Sequence, residues 1–232
     1  MKRIEEEKAR LVKAGKIKRD KNASVIFKGE DNKYFEKKGN EVVLIEELLP
    51  FDIPCNWTWC TIGTLLQIQT GASFKKEQAL SIQSGVRVLR GGNISPHNYL
   101  FKDDDIFIEK SLVSEGILLK KNDLITPAVT SIENIGKMAR ITQNYDDVTA
   151  GGFVFILRLY SQSDITSKYL CYALQSPSVT DCIKSITKKS GSAFYNIGKE
   201  RLSAIYIPLP PLNEQKRIVE ALDNVVASIM RN

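Results

Sequence analysis

The residues with the clearest chemical potential are cations, amides and small hydroxyls that collect in four polar loops. Two loops carry adjacent lysines, one carries two arginines beside a short strand, and one places small hydroxyls next to glycine. Cations neutralise phosphates, whereas amide and guanidinium groups hydrogen-bond to base edges. The loops therefore predict contacts with a nucleic acid. The candidate residues are Lys75, Lys76, Arg87, Arg90, Asn93, Thr130, Ser131, Lys137, Lys188, Lys189, Ser192, Tyr195 and Asn196.

Each of these residues also has a simpler structural interpretation. Pairs of lysines are common in solvated turns that bind nothing. Arg87 and Arg90 point to opposite faces of a strand, so one of them is expected to be structural. Asn93 follows two glycines and fits a turn, and Tyr195 fits the core. Both interpretations remain open at this point.

The motifs of an enzyme that acts on DNA directly are incomplete. The run "PLPPLN" ends in leucine where an amino-methyltransferase loop has an aromatic residue, and "SGSAF" lacks the glycine spacing of a cofactor-binding turn. Glu109 and Lys110 are adjacent, whereas a metal nuclease needs one residue between its glutamate and lysine. No Walker A loop is present. We therefore expect no catalysis, no cofactor and no metal site.

The composition is that of an ordinary globular protein with a basic start. Of the 232 residues, 43% are hydrophobic and 26% are charged. The first 38 residues hold 13 Lys/Arg and 7 Asp/Glu, so they carry the whole net charge of +6. No apolar run approaches the ~20 residues that span a bilayer, and no secretory signal is recognisable. A membrane is therefore not expected among the partners. The four cysteines form no CxxC pair, which favours a reducing cytoplasm.

The patterns along the chain predict an irregular mixed α/β domain flanked by helices. A helix is expected over residues 2–14, and a polar linker or loose hairpin over 16–40. Two helices broken at Pro177 are expected over 164–187, and Trp57 and Trp59 are assigned to the core. Strands and helices interleave without a regular βαβ rhythm. Short strands are expected at 86–94, 116–129, 137–142, 151–160 and 202–207.

The C-terminal stretch predicts a strand, a stiff corner at Pro210 and Pro211, and an amphipathic helix. Four apolar residues of this helix are spaced 4, 3 and 4, which is typical of a coiled-coil seam. They are Ile218, Leu222, Val225 and Ile229. Because the seam covers fewer than three heptads, two interpretations stay open. The helix either lies on its own domain or pairs with another helix.

Three stretches together resemble the specificity subunit of type I restriction–modification systems. "IPLPPLNEQKRIVEAL" (207–222) is similar to the family's junction between recognition domain and conserved helix. "LPFDIPCNWTWCTIGTLL" (49–66) is similar to the start of a recognition domain, and "EEEKARLVKAGKIKRDK" (5–21) looks like the end of a helical spacer. Their order and spacing cover nearly the whole chain, which makes the combination specific.

The resemblance implies a domain organisation and a set of partners. It places the end of a spacer helix at 1–15, a linker at 16–40, a target recognition domain at 41–207 and a conserved C-terminal helix at 208–232. A full family member has two recognition domains, each reading half of a split sequence in double-stranded DNA. Its two helical regions form a coiled coil that docks the methyltransferase subunits. This chain has only one such domain. The resemblance therefore implies either a half-length unit that pairs with a second copy or a fragment of a longer subunit.

The expected function is therefore that of a non-catalytic, sequence-specific DNA-binding module. It would direct methyltransferase and restriction subunits to one half of a bipartite site. The alternative is a scaffold that docks partners through its helices without reading DNA. Retention of DNA by the isolated chain at moderate salt would separate the two interpretations.

Overall fold

A computed structural model describes residues 2–15, 17, 24–190 and 194–229 of the chain. Its helices are α1 (Lys2–Lys13), α2 (Ile62–Leu65), α3 (Asp164–Ala173), α4 (Pro177–Ile186), α5 (Lys199–Ser203) and α6 (Leu212–Ile229). Its first strands are β1 (Ser24–Lys28), β2 (Tyr34–Lys38), β3 (Glu41–Leu44), β4 (Thr58–Thr61), β5 (Leu66–Thr70), β6 (Val86–Leu89), β7 (Ile94–Ser95), β8 (Asn98–Tyr99) and β9 (Ile106–Ile108). The remaining strands are β10 (Leu124–Pro127), β11 (Val129–Thr130), β12 (Ala139–Arg140), β13 (Val148–Ala150), β14 (Val154–Leu159), β15 (Lys188–Ser190), β16 (Phe194–Asn196) and β17 (Tyr206–Leu209).

The centre of the domain is an antiparallel sheet in the order β12-β10-β14-β5. Strand β14 is apolar along almost its whole length because both of its faces are covered. Phe155 and Leu157 point into the main core beside α3 and α4, and Val154 and Ile156 point into a second core on the other side. This alternation follows from the two-residue period of a strand. Burial of each such side chain is worth about 1.5–3 kcal/mol.

A second, smaller sheet has the order β13-β6-β9 and stands beside the second core. Strand β6 pairs with β13 in parallel and with β9 in antiparallel orientation. The arrangement is irregular, since these strands are far apart in sequence and are joined by loops rather than crossover helices. The fold is therefore mixed α/β without a βαβ repeat, as predicted.

Strands β4 and β17 form a two-stranded ladder that joins the start and the end of the domain. Cys60 lies opposite Ile207, and both are buried in the main core. Trp59 is also buried, as predicted, whereas Trp57 is half-buried. The chain thus begins and finishes this part of the fold on neighbouring strands.

The N-terminal part packs against the same body. In α1, Ile4 packs on the main core and Lys8 Nζ donates to the carbonyl oxygen of Gly63 at 3.3 Å. A hairpin, one of the two predictions for 16–40, is present over residues 24–38, where β1 pairs with β2. Strand β3 continues this sheet across the predicted domain boundary at residue 41, because its backbone completes the ladder of β2.

Helix α6 packs along α3 with only part of its apolar stripe. Val219 is 2% exposed, and Ile218 packs against the main core. Farther along, Leu222 is 37% and Val225 is 53% exposed, and Ile229 is the last residue of the helix. The domain thus covers the first member of the predicted seam, Ile218, and leaves the next two members at the surface. No helix among the described residues is long and apolar enough to cross a bilayer.

Candidate nucleic-acid interface

A three-stranded sheet brings together two of the four predicted loops. Strand β16 lies between β11 and β15, so that Thr130 is opposite Tyr195 on one side. On the other side, Lys188 is opposite Asn196 and Lys189 is opposite Tyr195. Both lysines and Asn196 are exposed, whereas Tyr195 is half-buried and packs against the main core. Ser192 lies outside the described residues.

The loop after β11 is held by its own hydrogen bonds. Ser131 Oγ accepts from Asn134 Nδ2 at 2.8 Å and donates to Glu133 Oε1 at 2.5 Å. Lys137 Nζ donates to Asn134 Oδ1. Both predicted contact residues of this loop, Ser131 and Lys137, are half-buried and help to shape the turn. Their polar atoms would have to exchange these partners to contact a nucleic acid.

The two arginines differ, as expected for residues on opposite sides of a strand. Arg87 is largely enclosed: its guanidinium pairs with Asp105 at 2.7 Å and lies 4.6 Å from the ring centre of Phe101 and 4.7 Å from that of Phe107. Arg90 is more exposed, and its guanidinium pairs with the exposed Asp104 at 3.1 Å. Arg87 is therefore the structural member of the pair, and Arg90 is the one at the surface.

Asn93 does not lie where a base could reach it, which corrects its place among the candidates. It is 3% exposed, and its Nδ2 donates to Leu100 O at 2.9 Å and to Asp105 Oδ1 at 2.5 Å. Its Oδ1 accepts from the Arg90 backbone N–H at 2.8 Å. The side chain closes a turn instead of facing solvent.

The carboxylate of Asp105 is the hub of this turn. Burial raises its pKa, but hydrogen bonds from the Lys102 backbone N–H, Asn93 and Arg87 outweigh burial and hold the pKa below its usual range. Asp105 therefore stays ionised in a buried position, and it fixes the base of the loop that presents Arg90.

A cleft of about 470 Å³ lies among the loops. Three of the four predicted loops contribute to its lining, through Phe74, Arg90 and Val129. Val129 is also the register partner of Asn196, so β16 adjoins β11 beside the cleft, and β15 with its two lysines lies one strand farther away. The structure thus gathers at one site loops that are up to about 120 residues apart in sequence.

One wall of the cleft was not predicted from the sequence. Residues 151–160 were expected to form a single strand, but β14 begins only at Val154, and Gly151 to Phe153 form a turn at the cleft. The turn approaches the 71–73 segment closely: a Cβ on Gly152 would lie 2.7 Å from Ser73 Oγ, and that hydroxyl would have to rotate away to make room. The two adjacent glycines before Phe153 were the available sequence signal for this turn.

Four lysines of the predicted loops are exposed and available for anions. Lys75 and Lys76 follow the cleft residue Phe74 and are exposed, like Lys188 and Lys189. In the described part of the chain, lysine ion pairs involve other residues, namely Lys38, Lys121, Lys168, Lys184 and Lys216. Unpaired surface cations are suited to phosphates.

No group of three or more His, Cys, Asp or Glu side chains with the geometry of a metal site occurs among the described residues. The cleft is lined mainly by aliphatic side chains and by the rings of Phe74 and Phe153, with one cation, Arg90, and one hydroxyl, Ser73. Such a lining can bind a flat apolar surface and can pair with a negative charge at the position of Arg90.

Comparison with known proteins shows what this chain resembles. The type I restriction modification DNA specificity domain matches residues 54–232. The chain is 29% identical to the type I restriction enzyme EcoAI specificity subunit of Escherichia coli over 229 residues, covering 97% of this chain and 35% of that protein. It is 28% identical to the StySPI specificity subunit of Salmonella potsdam over 181 residues, covering 76% and 38%. The chain thus spans little more than a third of the length of these relatives.

Solved structures share the mixed α/β fold. The HsdS subunit from Thermoanaerobacter tengcongensis has a TM-score of 0.55 at 20% identity, covering 78% of this chain and 40% of that one. A chain from a structure of complex assembly and conformational transition in the type I R-M system has a TM-score of 0.58 at 20% identity, covering 81% and 43%. The predicted resemblance is confirmed. Since the family match extends over most of the chain, this protein belongs to the type I restriction modification DNA specificity domain family.

Proposed function

We propose that the chain is the DNA-reading module of a type I restriction–modification complex and recognises one half of a bipartite site. It chooses the position at which other subunits act and has no catalytic activity of its own. The observation that carries this proposal is the cleft, which is lined by residues from loops distant in sequence and has exposed lysines on the segments that adjoin these loops. Phosphate contacts by the lysines would supply affinity, and cleft residues would supply discrimination.

The partners follow from family membership and from the exposed part of α6. The proposed partners are double-stranded DNA, the methyltransferase and restriction subunits, and a second specificity module. That module is either a second copy of this chain or the other half of a longer subunit. Leu222 and Val225 give α6 an exposed apolar surface for one of these protein contacts.

The same exposed surface is the observation that favours a second candidate function. A scaffold that only docks partners through its helices would use α6 and would not need the cleft. The two functions differ in whether the isolated chain retains a preference among DNA sequences.

The experiment is selection of a preferred sequence from random DNA duplexes, followed by affinity measurements across a range of salt concentrations. The double variant Lys188→Ala/Lys189→Ala should weaken binding to all sequences. The slope of log K against log salt should become shallower by about 0.9 for each phosphate contact that is lost. The selected preference should persist, because phosphate contacts carry no direct sequence information.

The matched control is Lys33→Ala/Lys37→Ala, which removes the same charge from exposed positions on the N-terminal sheet. This control should leave the salt slope close to that of the wild type. If the wild type selects no sequence, the scaffold function is favoured. If both double variants change the slope equally, the effect is one of net charge and the lysines of β15 do not contact phosphates.

A further inference from the structure

We propose that the cleft binds one nucleobase of the recognised DNA and that Phe153 stacks against it. This inference rests on the proposed function and adds a recognition contact that is made by a ring rather than by a hydrogen bond. The base would leave its ordinary stack in the duplex at the step that faces the cleft. Phe153 would then replace part of the lost stacking.

The first argument is the exposure of Phe153. It is 74% exposed, more than any other large hydrophobic residue in the described part of the chain. Three other exposed phenylalanines have aromatic neighbours: Phe27 stacks with Phe35, Phe51 lies against Trp59, and Phe101 lies against Tyr99 and Tyr145. Among the described residues, Phe153 makes no such ring contact, and the same is true of Phe194, which is less exposed at 56% and does not line the cleft. A large aromatic side chain left in water without a ring partner is suited to an external one.

The second argument is the rigidity of the backbone that carries this ring. The Ala128 N–H donates to Phe153 O at 2.8 Å, and the Val154 N–H donates to Gly151 O at 2.9 Å. The Gly151 N–H in turn donates to Leu89 O at 2.8 Å. The turn is therefore fastened to two neighbouring segments. A phenylalanine side chain has only two torsions to restrict, so this arrangement presents an aromatic surface at a low entropic cost.

The third argument identifies the ligand from the surroundings of the ring. Arg90 and Phe153 both line the cleft, and Lys75 directly follows the lining residue Phe74. Cations around an aromatic surface match a ligand in which flat rings are joined by phosphates. An apolar peptide would offer nothing to the charge of Lys75, which makes no ion pair among the described residues, whereas a phosphate could pair with both cations. The combination of aromatic rings and cations at the cleft therefore points to a base of the bound DNA.

The test uses the sequence selected with the wild type. Adenines at successive positions are replaced by 2-aminopurine, a fluorescent analogue whose emission changes when its stacking changes. Binding of the wild type should change the emission at one position, and Phe153→Ala should abolish this change. Phe153→Ala should also weaken binding roughly tenfold, in line with the loss of one stacked base, with an unchanged salt slope.

A mismatch next to the same position gives an independent measurement. Because a mismatched base costs less to unstack, the wild type should bind this duplex more tightly than the fully paired one. Phe153→Ala should gain nothing from the mismatch, and Phe153→Leu should gain less than the wild type because it keeps apolar volume without a flat ring. Phe27→Ala, which removes an exposed ring from the N-terminal sheet, is the control and should behave like the wild type.

The melting temperature of Phe153→Ala should equal that of the wild type, since the side chain is exposed. If the wild type selects a sequence but Phe153→Ala binds it with the same affinity and emission profile, the stacking inference is wrong and the proposed function stands. If the wild type selects no sequence at all, the proposed function is wrong and the inference falls with it.

Discussion

Two asparagines of the candidate set show how one residue type serves two purposes in this protein. Asn93 is buried, and its amide hydrogen-bonds to Leu100, Arg90 and Asp105. Asn196 is exposed on β16 and lies beside the lysines of β15. Only the exposed amide is positioned to hydrogen-bond to the edge of a base.

This contrast predicts different phenotypes for the two alanine variants. Asn93→Ala should lower the free energy of unfolding by about 1–3 kcal/mol, because it leaves buried polar partners unsatisfied. Asn196→Ala should leave that free energy unchanged and should relax the preference at one base position. Urea denaturation and repeated sequence selection measure the two effects. An Asn93→Ala protein of unchanged stability would contradict the role assigned to the buried amide.

For individual residues, the sequence indicated which side chains could have a structural or a binding role. It did not show which of them would be buried and which exposed. It indicated that one of Arg87 and Arg90 would be structural, because strand positions alternate between faces. It did not show which one, since the partner Asp105 lies in a separate loop. Nor did it reveal Phe153, because a Gly-Gly-Phe-Val run that leads into an apolar strand looks like the strand itself.

Helix α6 is divided between a part that stabilises its own domain and a part that faces outwards. Val219 lies in the main core, and the nearby Asp223 accepts hydrogen bonds from Tyr172 at 2.8 Å and from Lys168 at 2.5 Å. Leu222 and Val225 lie on the outward side. The helix is thus anchored along α3 whether or not it has a second partner.

The division predicts opposite results for three aspartate variants. Val219→Asp should destabilise the domain by several kcal/mol, because it buries a charge without a partner. Leu222→Asp and Val225→Asp should leave the domain folded and should dissociate any complex that forms through α6. Circular dichroism reports folding, and the mass in solution reports association. Loss of folding in Val225→Asp would show that the exposed stripe belongs to the core.

The sequence predicted helices and strands more reliably than it predicted which strands pair with each other. The two helices separated at Pro177 are present as α3 and α4, since proline is favoured at the first position of a helix. By contrast, the pairing of β11 with β16 joins residues about 65 positions apart and had no local signal. The hairpin of β1 and β2 was ambiguous because its polar, charged composition also fits a linker.

On the scale of the whole molecule, Glu36 connects the N-terminal sheet to the domain. It is buried in β2, where its carboxylate accepts from Tyr206 Oη at 2.8 Å and pairs with Lys38 at 2.9 Å. Burial raises its pKa, but hydrogen bonds to Ser24, Lys38 and Tyr206 outweigh burial and hold the pKa below its usual value. The ionised form therefore favours the docked sheet.

Because the pKa of Glu36 is lowered in the folded protein, the stability of the docked N-terminal sheet should depend on pH. Stabilisation by Glu36 is present above the ordinary carboxyl pKa of about 4.3 and is lost as the pH falls through the lower pKa of the folded state. Below that value, the backbone of 24–44 should exchange its hydrogens faster relative to β14. Exchange is measured at neutral and acidic pH and normalised to the unfolded chain at each pH. Glu36→Gln should remove this difference, and an equally acid-sensitive variant would contradict the prediction.

The ladder between β4 and β17 has a consequence for how this protein can vary. Cys60 and Ile207 are 147 positions apart, yet they lie on strands separated by only about 4.8 Å. The chain between Cys60 and Ile207 therefore leaves the ladder and returns to it at nearly the same place. Insertions, deletions or a complete exchange of the loops around the cleft need not alter the spacing between the flanking segments, provided that the faces touching α1 and α6 are kept. The proposed recognition surface can therefore change while the relative positions of α1 and α6 stay constant.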